Sequence, residues 1–126
     1  MKLSEIYDDK EHLQSDLEDV AEWLNTTVLD LNIDMVQEPI TIFEKSIKEM
    51  LNTYDEFPED YKRTRRIKKF IEKTGKIYPI YVKKNDKIKF VMEGRHRMVA
   101  FLLLKMKTIP VAYVSSKRED VANTPQ

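Results

Sequence analysis

Leu13, Leu17, Val20, Ala21 and Leu24 recur every three or four positions, and the spacing predicts an amphipathic helix over 12–25. Asn25-Thr26-Thr27 closes it. Leu29, Leu31, Ile33 and Met35 then alternate with Asp30, Asn32 and Asp34, the period of two expected of a strand with one buried face. Glu38-Pro39 is expected to break that strand. Ile42, Phe43, Ile47, Met50 and Leu51 return to helical spacing and predict a helix over 40–53. The acidic loop 55–60 leads into a helix over about 59–74 that buries Ile67, Phe70 and Ile71, and Gly75 stops it.

Ile77 to Val82 and Ile88 to Met92 predict the strands of a hairpin, with turn chemistry at Asn85-Asp86. Met98, Val99, Phe101, Leu102 and Leu104 make the next helix apolar nearly all round, so it should be buried. Ile109 to Val114 predicts a last strand. Trp23, Phe43 and Phe70 lie on apolar stripes and are expected in the core. Residues 1–11 are polar and expected to fray, and disorder is expected from Ser115 onward. The sum is an α+β fold, a small mixed sheet packed with helices. It predicts one domain over 28–114, an acidic helical extension over 1–27 and a disordered tail over 115–126.

The chain has 126 residues, and 41% hydrophobic content is enough for one core. With 0 Cys there is no disulfide, thiolate nucleophile or thiolate-bound zinc, and with 2 His a zinc site would need carboxylates. The longest apolar runs, such as Val99 to Leu104, are too short to span a bilayer, and the N-terminus lacks the apolar region of a signal peptide. The expected compartment is the cytoplasm, with no membrane partner.

The zero net charge conceals a division. Residues 1–60 hold 4 Lys and Arg against 17 Asp and Glu, while residues 61–126 hold 18 against 5. Either the second half takes an anionic partner or the halves neutralise each other across the fold. Lys62, Arg63, Arg65, Arg66 and Lys69 form a cationic helix surface suited to a nucleic-acid backbone, or else a solvated face paired with the loop at 55–60. The acidic half opposes general DNA binding. It suits docking on a basic protein, or a cover over the cationic half.

Glu93-Gly94-Arg95-His96-Arg97 is the densest chemistry in the chain, at a strand-to-helix turn. A helix start exposes unpaired amides at the positive end of its dipole, and two arginines add fork-shaped donors, so the turn predicts a phosphate site. Glycine there lets a ligand approach the backbone. The alternative is that Arg95 and Arg97 pair with acidic residues of the first half. His96 suits phosphate donation, acid–base work or a structural bond. Glu93 suits a ribose hydroxyl, Mg²⁺ beside phosphates, or a base. Tyr78 and Tyr81 suit stacking on a nucleobase, or packing.

The order Gly75-Lys76-Ile77-Tyr78-Pro79-Ile80, hairpin, Glu93-Gly94-Arg95-His96-Arg97, helix, Ile109-Pro110-Val111 resembles the ParB/sulfiredoxin superfamily over about residues 28–114. In ParB partition proteins the matching segments cradle a cytidine nucleotide with Mg²⁺. The resemblance thus places Gly75, Pro79, Glu93, Gly94, Arg95 and Arg97 around a nucleotide, and with His96 of the same turn the expectation is binding of CTP or ATP with Mg²⁺, with hydrolysis or phosphoryl transfer as the chemistry. Sulfiredoxin activity is excluded, because Arg95 stands where that branch has its catalytic cysteine. A third branch phosphorylates free serine with a carboxylate base from the segment after the first strand, for which Glu38 is the best-placed candidate and Glu44 the next. ParB-like nucleases of phages and plasmids are a further branch. No helix-turn-helix domain follows the last strand within the chain, which sets it apart from partition ParB.

Overall fold

The computed structural model describes residues 10–122, so the expectations for residues 1–9 and 123–126 lie outside the described residues. Its elements are α1 (Lys10–Trp23), β1 (Leu31–Pro39), α2 (Glu44–Asn52), α3 (Pro58–Thr74), β2 (Ile80–Lys83), β3 (Val91–Glu93), α4 (Arg95–Leu103), β4 (Thr108–Ser116) and α5 (Lys117–Ala122). Short 3-10 turns precede β1 and α2. The strands form one mixed sheet in the order β1-β4-β2-β3. β1 runs antiparallel to β4, β4 parallel to β2, and β2 antiparallel to β3.

Strand alternation gives the sheet two apolar faces. Ile80, Val82, Val91, Ile109 and Val111 point to one face, where Phe43, Ile47, Met98 and Phe101 cover them. Tyr81, Met92, Ala112 and Val114 point to the other, where Val20 and Ala21 of α1 cover them. The N-terminal helix is therefore part of the core, and Val20 is completely buried. The architecture is α+β: α1 on one face, and α2 and α4 on the other. α3 packs along α4.

Several expectations shift. β1 does not stop before Glu38-Pro39 but continues through both, pairing Glu38 with Ile109 and Pro39 with Thr108. An edge strand tolerates a terminal proline, which is how this becomes possible. Leu29, at 85% exposure, lies before β1 in a 3-10 turn and not on the buried face. Nor is the chain disordered from Ser115. Ser115 and Ser116 extend β4, and α5 follows. The Ser115 hydroxyl donates to Asp120 at 2.8 Å, and the Asn32 amide donates to the same carboxylate. These bonds, Asn32's first, hold the Asp120 carboxyl below the usual range. Polar residues can thus order a segment by hydrogen bonding, one bond within the segment and one to β1, where apolar periodicity is missing. α4 buries Met98 to Phe101 but leaves Leu102 and Leu103 partly exposed. Trp23 is also exposed and meets Phe90 edge-on with ring centroids 5.8 Å apart.

Val20→Asp places an unpaired charge between α1 and the sheet. It should lower unfolding free energy by about 3–5 kcal/mol in urea titration, whereas an α1 that is merely appended predicts almost no change.

Candidate functional site

A cavity of about 510 Å³ opens between α1, α3 and the start of α4. α1 supplies Ser15, Asp16 and Asp19 to its wall. α3 supplies Arg63, Arg66, Ile67, Phe70 and Ile71. The approach to β2 adds Lys76 and Tyr78, and the turn after β3 adds Glu93, Gly94, His96 and Arg97.

The turn exists because Gly94 adopts φ 98°, in the left-handed region where other residues are strained. A Cβ there would sit 3.1 Å from both Cα and Cγ2 of Ile80. Close approach of the neighbouring strand, in addition to the backbone conformation, thus demands glycine. Expected ligand access is not needed to account for it. The helix that follows starts at the cavity, and its first-turn amides lack intrahelical acceptors.

Arg97 is tied to the N-terminal helix. Its Nη1 donates to Asp16 Oδ2 and its Nη2 to Asp16 Oδ1, each at 2.9 Å. Nη1 also donates to the Pro79 carbonyl at 2.9 Å. The Asp16 side chain is 6% exposed and that of Arg97 13%. The ion-pair alternative for the turn's arginines is therefore realised at Arg97. Its guanidinium also lies 5.5 Å from the centroid of the Tyr78 ring, which stacks at 16° on Phe70 with centroids 6.1 Å apart. Phe70, Tyr78 and Arg97 thus form a layered wall. His96 Nε2 meets Asp60 Oδ1 at 2.9 Å, so the start of α3 holds the imidazole in place.

Burial raises the Glu93 pKa above its ordinary value, repulsion from Asp16 and Asp19 adds to the rise, and Arg97 and Arg63 oppose it. Glu93 therefore lies close enough to Asp16 and Asp19 to sense their charge.

Among the expected site residues, Glu93, Gly94, His96 and Arg97 come together at the cavity, joined by Arg63 and Arg66 of the basic helix. Pro79 contributes only its carbonyl, to Arg97. Gly75 ends α3 with φ 71°, outside the cavity lining. Arg95 is exposed and is not among the residues that line the cavity. Lys62, Arg65 and Lys69 of the same helix do not line the cavity: Lys62 pairs with Glu59 at 3.3 Å, Arg65 lies over the Tyr61 ring, and Lys69 is exposed.

Glu38 is on β1, where it accepts a hydrogen bond from the Tyr113 hydroxyl at 3.2 Å, and does not line the cavity. Burial, then the Glu38 charge, pushes the Tyr113 phenol up to about 12. Glu44 pairs with Lys48 on α2. Tyr81 is fully buried, so of the two tyrosines only Tyr78 reaches the cavity. Phe70 is part of that wall and partly exposed, not a core ring. Asp16 and Asp60 carried no sequence signal beyond membership of an acidic half, because their partners lie 81 and 36 residues away.

No protein-family model, curated protein or solved structure matches this chain.

Arg97→Met should lower unfolding free energy by about 3–5 kcal/mol because it strands the buried Asp16 charge. Adding Asp16→Leu should recover much of the loss in a urea-denaturation double-mutant cycle, and full additivity would exclude the coupling. Glu93 makes a separate prediction. Between its ordinary 4.5 and its raised folded value, the folded state binds more protons than the unfolded one, so stability falls as pH rises through that window. Glu93→Gln should therefore raise the melting temperature near neutral pH and lose this advantage below pH 4.5. An advantage that persists under acid conditions would contradict the electrostatic origin.

Proposed function

We propose that the cavity binds a nucleotide, with its phosphate on the α3 cations and its base near the aromatic wall. One observation carries the reading: a single cavity sets Arg63, Arg66, Lys76 and the start of α4 beside Phe70 and Tyr78. Guanidinium forks suit phosphate oxygens, and an aromatic ring suits a base. The volume falls within the range of about 300–1,000 Å³ usual for small-molecule sites. The resemblance of the Gly75–Pro79 and Glu93–Arg97 segments to the ParB/sulfiredoxin superfamily supports the same reading and the corresponding fold.

Among the described residues, no three carboxylate or imidazole groups converge in a way that could hold a metal ion. In this proposal Mg²⁺ arrives with the phosphates, and Glu93 is the protein oxygen offered to it. If hydrolysis or phosphoryl transfer occurs, His96, oriented by Asp60, is the group placed to carry the proton. A nucleic-acid reading has less support, since Lys62 is ion-paired and Arg65 lies against a tyrosine. No described helix is long and apolar enough to cross a membrane.

Isothermal calorimetry with ATP and CTP, with and without Mg²⁺, tests the proposal. Binding should weaken at least about tenfold, or 1.4 kcal/mol, in Arg63→Ala/Arg66→Ala, whose side chains are exposed enough to leave the fold unaltered. No heat from these triphosphates and none from AMP or CMP, or equal affinity in the variant, would overturn it.

A further inference from the structure

The cavity's charges are mixed. Among the described residues of its lining, Arg63, Arg66, Lys76 and Arg97 face Asp16, Asp19 and Glu93, an excess of one positive charge when His96 is neutral. Nor are the cations equivalent. Both Arg97 amino groups are directed at Asp16, and one also serves the Pro79 carbonyl. These bonds engage three of the five guanidinium N–H groups and offset the Arg97 charge, and drawing Arg97 toward a phosphate would strand the buried Asp16 carboxylate. Arg63 and Arg66, by contrast, form no ion pair with any described residue. Two exposed arginines can clasp one phosphoryl group. Each further phosphoryl group meets a wall where Asp19 and Glu93 offset the remaining cation.

We infer that the cavity selects organic phosphates with a single phosphoryl group, held by Arg63 and Arg66 with the ring beside Phe70, and that Asp16 sets this selection by neutralising Arg97. This rests on the nucleotide reading and narrows it from nucleotides in general to monophosphates. Asp16 is then a specificity residue that works through Arg97. It acts as a carboxylate built into the chain, taking donors that a longer phosphate chain would need.

The experiment is competition calorimetry on the full chain without Mg²⁺, using AMP, CMP, ATP and CTP. One monophosphate should bind at least tenfold more tightly than its triphosphate. Asp16→Asn should then raise triphosphate affinity and narrow the ratio at least tenfold, with melting temperature confirming the fold. Asp19→Asn, an exposed change on the same wall, should shift the ratio in the same direction and is the variant to use if Asp16→Asn does not fold. Triphosphate binding as tight as monophosphate binding in the unaltered chain would overturn the inference and leave the nucleotide reading standing. So would a ratio unmoved by the folded variants. Absence of binding by all four ligands would overturn both.

Discussion

The Asp16–Arg97 pair joins three parts of the chain that are distant in sequence. Asp16 belongs to the helix on one face of the sheet, Arg97 begins the helix on the other, and Pro79 leads into β2. A guanidinium this deeply buried needs a carboxylate and a carbonyl aligned with its donors. Satisfying it fixes where α1 crosses the end of the sheet, and with it one wall of the cavity. Val20 and Ala21 seal the same helix against Tyr81 and Met92. The polar lock and the apolar seal therefore specify one placement together.

That placement also explains part of the charge division along the chain. The acidic half brings Asp16 and Asp60 to Arg97 and His96, so some of the opposite charge is neutralised inside the molecule. The compensation is incomplete. Arg63 and Arg66 stay at the cavity without an ionic partner among the described residues, beside an aromatic wall. Internal neutralisation and an anionic ligand thus operate on different cations of the same site. The crowding of Asp16, Asp19 and Glu93, which contributes to the raised Glu93 pKa, belongs to the same arrangement.

Elements governed by neighbouring residues were legible in the sequence. Apolar spacing marked α1, α2 and α4, the period of two marked β1, and Gly75 marked the end of α3. The Glu93–Arg97 turn stood out because two arginines and a histidine follow a glycine where a strand gives way to a helix, while the backbone and packing need that this glycine answers showed only in the structure. Boundaries were less legible where pairing overrode composition. β1 runs through a proline because β4 lies alongside it, and Asp120 orders a polar segment after β4. Phe70 and Trp23 misled because helical spacing identifies an apolar stripe but not what that stripe meets.

The sequence by itself determined the element types, the α+β class, the lack of any thiol chemistry and the cationic turn, since each follows from residue identity or contacts a few positions apart. Only the tertiary structure decided which charges are consumed and which are left. Arg97 and Arg66 look alike in the chain, yet one is bound to a carboxylate 81 residues away and the other faces the cavity. The reason is physical: an ion pair's strength depends on burial and alignment between distant segments, and neither is encoded by local spacing.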